Sequence, residues 1–293
     1  MLDYHLHLWP HSERDVEATV AQVEHYCERA AAAGVVEVAV TEHLFRFTQA
    51  TDLLGRFWED QPGARLHAGM AAYWDHHAQS DLDTYVEVVL AAKAEGLPVV
   101  LGLEVDFYPG RMDEVAGLLA GYPFDVLLGS VHWLGAWRFD VLEEPAILDE
   151  WEVRDIDAVW DEYTRAMEEL AASGTCDVFA HPDLIKVAGR LPTVSGEFYD
   201  RITEAAVGSG MAAELSSAGW RKPVAEEYPA PPLLKRMVEA GVPLTTASDA
   251  HRLPDVADRA NDLRRLLVAA GVGQLRAFRH RRGYDVVVAP VGT

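Results

Sequence analysis

Histidines and carboxylates recur in this chain where short apolar runs end. His5 and His7 lie two apart in the opening LDYHLH, so on an extended strand both imidazoles leave the same face and can grip one cation from adjacent rungs. His43, Glu104, His132, His181, Asp249 and His251 stand at the ends of later runs, and His11 follows the first. Seven of the twelve histidines fall in this set. One strand-end histidine is ordinarily a hydrogen-bonded structural residue, but repetition at six apparent strands points to a shared metal centre. Imidazole and carboxylate without thiolate suit Zn, Mn, Fe or Co. The candidates are too many for one ion with open catalytic positions, and the two oxygens of Glu104 can bridge neighbours, so two or three divalent ions are expected. Such a centre generates hydroxide near neutral pH and clamps both oxygens of an in-line displacement, which is hydrolytic chemistry.

These groups need a frame that gathers distant parts of the chain. Val16, Val20, Val23, Cys27 and Ala30 recur at helical spacing, Gly34 closes the pattern, and VVEVAV follows, stopping at Thr41, Glu42 and His43. The same order runs from Leu82 to Ala94 and Gly96 into LPVVLGLEVDF, and from Met112 to Leu119 and Gly121 into FDVLLGSVH. Ile156, Val159, Tyr163, Met167 and Leu170 lead to Gly174 and CDVFAHP; Phe198 and Ile202 lead to MAAELSS, and Pro232 to Val238 to VPLTTASDAH. With the opening segment this predicts seven strands. Alternating helices and strands make parallel units, and strands apolar along their length are buried on both faces. A closed α/β barrel of seven strands is expected as a single domain over 1–293, because only a barrel brings all the C-terminal strand ends around one centre. No glycine-rich phosphate loop follows the first strand, so a nucleotide-binding sheet lacks support. The run LRAFRHRRGYDVVVAP is expected to close the fold with one or two short strands.

Two connections, 44–80 and 133–150, are long and aromatic, and read as lids over the mouth with little internal structure, or as aromatics packed on the barrel. His67, His76 and His77 could reach the site from the first; His25 and His280 read as surface residues. Cys27 and Cys176 lack metal or redox spacing and read as buried, inert thiols.

A formal charge of -22 repels polyanions, so a nucleic-acid polymer is not an expected partner. No apolar run approaches a membrane span, and the start lacks a basic region and an apolar signal core; a cytoplasmic enzyme with no membrane partner is expected.

The order HLH, TEH, GLEVDF, SVH, AHPDLIK and SDAH resembles the polymerase-and-histidinol-phosphatase (PHP) superfamily over residues 3 to 251. The stretch ELSSAGWRKPVAEEYPAPPLL with GVPLTTASDAH is similar to its bacterial histidinol-phosphate phosphatases. The resemblance implies a distorted (β/α)7 TIM-like barrel with a trinuclear site: His5, His7, Glu104 and Asp249 for one ion, Glu104, His132 and His181 for a second, His11, His43 and His251 for a third. His11 follows His7 by four residues rather than the six expected of related phosphatases, so Asp15 or Glu13 could share its role. Glu104, Asp249 and His251 are the implied catalytic residues, hydroxide near Glu104 attacking phosphorus without a covalent enzyme intermediate. Arg221 and Lys186 match positions that contact the phosphate of a small substrate, Lys186 standing where an arginine is expected. Asp140, Glu143 and Glu144 could attract a cationic substrate, and Trp133 or Trp137 could face its ring. Alternatives are a PHP phosphoesterase for a small sugar phosphate or nucleotide, a metal-dependent amidohydrolase, which would show a carboxylated lysine or further histidine where Glu104 stands, or a metal-binding protein without activity.

Overall fold

The computed structural model describes residues 1–10, 18–61 and 63–288. A parallel sheet of seven strands runs in chain order: β1 (Leu2–Leu6), β2 (Glu37–Val40), β3 (Val99–Asp106), β4 (Val126–Ser130), β5 (Val178–Phe179), β6 (Ala212–Ser216) and β7 (Leu244–Ala247). The ends meet where the His7 amide donates to the Ala250 carbonyl at 2.8 Å and the Thr246 hydroxyl to the Leu2 carbonyl at 2.7 Å, so the barrel is nearly closed. Around it lie α1 (Val20–Ala32), α2 (Thr48–Leu54), α3 (His67–His77), α4 (Leu82–Ala94), α5 (Met112–Leu119), α6 (Pro145–Val153), α7 (Ile156–Ser173), α8 (Gly196–Ser209), α9 (Pro231–Glu239) and α10 (Ala260–Ala269).

The apolar stripes account for the packing. On α7, Val159, Tyr163, Met167 and Leu170 are buried at helical spacing; the Asp155 carboxylate accepts from the Ala158 amide at 2.9 Å, and Gly174, with φ 65°, ends the helix left-handed. Every residue of β3 and β4 is buried, as a strand covered on both faces requires.

Three features differ from, or sharpen, the sequence reading. The strands are shorter than their apolar runs, so among the described residues only His5 and Glu104 of the expected ligands lie within a strand, and His7, His43, His132, His181, Asp249 and His251 follow the strand ends at the mouth. The 44–80 connection, expected to hold little regular structure, folds into α2, α3 and three single turns of 3-10 helix. Its Phe45, Phe47, Trp58, Met70 and Trp74 are buried. The tail forms an antiparallel hairpin, β8 (Gln274–Arg279) and β9 (Arg282–Val287), bonded to residues at or beside the N-terminal ends of β2, β4 and β5 through Glu37, Asp125 and Asp177.

Candidate metal centre

Asp3 and His5 share the inner face of β1, and His7, one residue past its end, continues the two-residue period. His5 and His7 point at Glu104 in the middle of the barrel mouth, and the two oxygens of that carboxylate serve different neighbours. Oε2 lies 3.1 Å from His5 Nε2, 3.5 Å from His7 Nε2 and 2.8 Å from His43 Nδ1. Oε1 lies 3.1 Å from His181 Nε2 and 3.4 Å from His132 Nε2. Asp249 adds a second carboxylate, with Oδ1 3.5 Å from His7 Nε2, 3.8 Å from His5 Nε2 and 3.6 Å from His251 Nδ1. The His251 ring stacks on His7 at 4.0 Å, His43 stacks on it at 4.3 Å, and the His43 and His251 rings lie 5.7 Å from each other.

Three-ligand groups form within this cluster, each with donor atoms within 4.8 Å of one another: His5, His7 and Asp249; His5, Glu104 and His181; His7, His43 and His251; and His43, Asp106 and His132. Such a density of buried imidazoles about one wholly buried carboxylate suits divalent cations, since an unpaired buried charge is costly. Burial opposes ionisation of Glu104, and His5, His43 and His132 more than reverse it, holding its carboxyl well below the ordinary range. All the expected ligands within the described residues therefore come together. His11, with Glu13 and Asp15, lies outside the described residues.

Three acids that the sequence reading did not single out as functional stand behind the ligands. Glu214 on β6 holds His5 Nδ1 at 2.8 Å, Asp106 holds His132 Nδ1 at 2.5 Å, and Glu42 lies 3.5 Å from His7 Nδ1. Each leaves the opposite ring nitrogen, Nε2, directed at Glu104. A carboxylate on one imidazole nitrogen fixes ring and tautomer and makes the other a better donor. Glu42 also accepts the amides of Leu8 and Trp9, which ties the chain after His7 to the end of β2.

Two ligands occupy unusual backbone. His181 has φ 27° and Asp249 φ 51°, in the left-handed region where side chains are strained. The Asp249 turn is held from two sides. Asp3 accepts from the Ser248 amide and hydroxyl, both at 2.7 Å, while Arg221 Nη2 donates to the carbonyls of Ser248 at 2.6 Å and Asp249 at 3.1 Å. Arg221 also pairs with Asp258 at 2.9 Å and stays 29% exposed, at the rim. Lys186 is wholly buried, and its ammonium meets Asp183 at 3.1 Å, Glu226 at 2.6 Å and the Glu227 carbonyl at 2.7 Å. Its three donors are thus engaged inside the protein.

Solvent reaches the cluster past Asp249, His251 and His132, whose side chains are 17, 12 and 10% exposed. The His43 ring stacks on Phe45 at 4.7 Å, backed by Tyr73, Trp74, His77 and Trp133. His77 is therefore one ring removed from the cluster; His76 is exposed, and His67 bonds the Gln61 carbonyl at 3.2 Å. Trp133 borders His132, whereas Trp137 is buried against Trp151 and Glu144 pairs with Arg138, so neither of the latter faces the mouth freely. His25 and His280 are exposed and both cysteines buried, as expected.

Comparison with known proteins agrees with this architecture. Residues 4–218 match the PHP domain family. A Deinococcus radiodurans protein named "Probable histidinol-phosphatase" is 38% identical over 207 residues, spanning 69% of this chain and 76% of the relative. The structure of histidinol phosphate phosphatase from Lactococcus lactis, complexed with Zn, L-histidinol and phosphate, superimposes with a TM-score of 0.67 at 20% identity, covering 97% of this chain and 98% of that one. A hisK structure from Listeria monocytogenes gives a TM-score of 0.71 at 20% identity, over 89% and 99%. The family match ends before Asp249 and His251, whose place in the cluster rests on geometry.

Proposed function

The chain belongs to the PHP domain family, and on that premise we propose that it is a metal-dependent phosphatase that converts L-histidinol phosphate and water into L-histidinol and phosphate, a step of histidine biosynthesis. The observation that carries the reading is the division of Glu104, whose two oxygens address different groups of histidines. That division supports a centre of two ions, with His43, His251 and His7 available to a third. Zinc is the first choice of ion because the Lactococcus lactis structure contains it.

Divalent ions bound here supply Lewis acidity and an activated water. The chain's own residues do the rest. Glu104 and Asp249 balance the cationic charge, while Glu214, Asp106 and Glu42 hold His5, His132 and His7 in one orientation. Arg221 fixes the carbonyls beside Asp249 and, from the rim, offers its remaining N–H groups to phosphate oxygens, a use suited to its planar fork. Lys186 contributes less directly, because its charge is already balanced by Asp183 and Glu226. Asp140, on the same 133–150 connection as Trp133, provides a carboxylate for the substrate ammonium. Trp133, next to His132, offers a face to the imidazole.

The test is release of inorganic phosphate by metal-loaded protein from histidinol phosphate, sugar phosphates and nucleoside monophosphates side by side. A kcat/KM for histidinol phosphate higher by at least two orders of magnitude is expected. Equal, slow release from all of them would leave a phosphoesterase of another substrate, and no release from any would end the phosphatase reading.

A further inference from the structure

Tyr228 follows the turn after β6, and its backbone pairs with Ser216 in both directions, the Ser216 amide donating at 2.6 Å and the Tyr228 amide at 3.1 Å. The ring is boxed on three sides. His181 meets it edge-on at 6.2 Å between centroids, Lys186 Nζ lies 5.2 Å from its centre, and Gly219 comes so close that a Cβ there would stand 3.1 Å from the ring. The side chain is wholly buried, yet its hydroxyl has no hydrogen-bond partner among the described residues.

Other interior tyrosines show what a structural hydroxyl does in this fold. Tyr163 donates to the Pro182 carbonyl at 3.1 Å and accepts from the Leu184 amide at 3.2 Å, and Tyr85 reaches the carbonyls of Val40 and Gly102 at 2.9 and 2.8 Å. Tyr108 is unpaired like Tyr228, but it sits in the aromatic layer with Phe57, Trp74 and Trp133. Tyr228 instead touches a histidine of the metal cluster. A buried hydroxyl without a partner is unfavourable, and a ring clamped on three sides cannot turn to find one. Its place against a histidine of the cluster makes a bound substrate the partner that the fold leaves open. The hydroxyl is thus held beside the cluster as an unused hydrogen-bond donor.

We propose that Tyr228 is a substrate-contacting residue whose hydroxyl donates a hydrogen bond to the ester oxygen, the atom that joins phosphorus to the departing alcohol. This rests on the phosphomonoester reading above. The choice of atom follows from the neighbours. The non-bridging oxygens carry the phosphate charge and belong with the ligand cluster and Arg221, whose guanidinium lies at the Asp249 turn. That leaves the ester oxygen, which gains charge only as its bond to phosphorus breaks, for a neutral donor held rigidly beside His181. When the P–O bond breaks, its electron pair stays on the alcohol oxygen; water adds its oxygen to phosphorus, and a proton from that water ends on the alcohol. Tyr228 keeps its proton throughout and stabilises the charge that collects on the ester oxygen.

Leaving-group dependence isolates this role. The Tyr228→Phe variant is compared with the unmodified chain, both metal-loaded, on histidinol phosphate and on p-nitrophenyl phosphate, whose leaving oxygen is already stabilised by its ring. Metal content and Tm are measured alongside. The expected result is a kcat lower by about a hundredfold or more on the alkyl ester, a loss under about tenfold on the aryl ester, and unchanged metal content. Equal losses on both esters, with or without loss of metal, would overturn the proposal and assign Tyr228 to structure; no loss on either would overturn it too. If the unmodified chain ignores histidinol phosphate but cleaves another alkyl phosphate, the substrate reading fails by itself, and the same alkyl-to-aryl comparison on that ester decides Tyr228.

Discussion

Glu104 concentrates the chemistry of the site in one side chain, because among the described residues it alone faces both groups of histidines. Glu104→Gln keeps the shape but replaces one oxygen with a donor and removes the charge. We expect kcat to fall by about a thousandfold or more, the scale of losing ~4 kcal/mol of transition-state stabilisation, with an unchanged far-UV dichroism spectrum and fewer ions per chain by elemental analysis. Turnover near that of the unmodified chain would remove Glu104 from the mechanism. The acids behind the ligands invite a subtler test. Asp106→Asn and Glu214→Gln keep a hydrogen bond to His132 and His5 but lose the charge that strengthens it. Metal affinity, read by competition with a chromophoric chelator, should weaken by about 10–100-fold in each. Affinity equal to the unmodified chain would make both acids bystanders. Asp106 was within reach of the sequence: it follows Glu104 by two on an apparent strand, the relation that united His5 with His7. Glu214 was not, since nothing near it in the chain names its partner, which is 209 residues away.

At the scale of elements, the hairpin β8–β9 shows how the chain secures the end of the barrel opposite the chemistry. The Asp125 carboxylate, buried before β4, accepts from the His280 amide at 3.1 Å and the Leu101 amide at 2.9 Å and pairs with Lys93, while Arg281 pairs with Asp177. Burial raises the Asp125 pKa, but Lys93 and these amides outweigh it and leave the group below the ordinary carboxylate value. A depressed folded-state value means that the contribution is complete above the unfolded pKa of about 3.9 and is lost as pH falls through the folded one. Asp125→Asn should therefore destabilise by roughly 1–3 kcal/mol near neutral pH, and the gap in Tm from the unmodified chain should narrow as pH falls below about 4. A gap of constant size down to pH 2 would mean that packing, not charge, is responsible. The main elements were legible because their periodicities are clean: helices over Leu82–Ala94 and Met112–Leu119 stand where the spacing puts them. The 44–80 segment was not. On α3, Met70, Trp74 and His77 are buried at helical spacing, but a histidine hides the third apolar position, and aromatics scattered through short turns carry no period.

For the whole molecule, a charge of -22 and a core of buried imidazoles and carboxylates make stability depend on cations in two separable ways. Surface carboxylates repel one another, and ordinary salt screens them over about a Debye length. The mouth is different: its donors converge only in the folded chain, so ions bound there stabilise the native state by mass action. At a free concentration of 100 to 1,000 times Kd each ion adds about 2.7–4.1 kcal/mol, and at a length of 293 residues each kcal/mol moves Tm by about 1.5–2 °C. Stripping the ions with a chelator, with removal confirmed by elemental analysis, should lower Tm by roughly 4–8 °C per ion lost. Sodium chloride should recover little of that loss, because it reaches the surface charges and not the buried ligands, whereas returning zinc should restore it. Recovery by sodium chloride alone would locate the effect in surface repulsion. An unchanged Tm after complete stripping would mean that the folded cluster does not hold its ions tightly enough for them to be part of the native state, and the reading of Glu104 as their common ligand would fall with it.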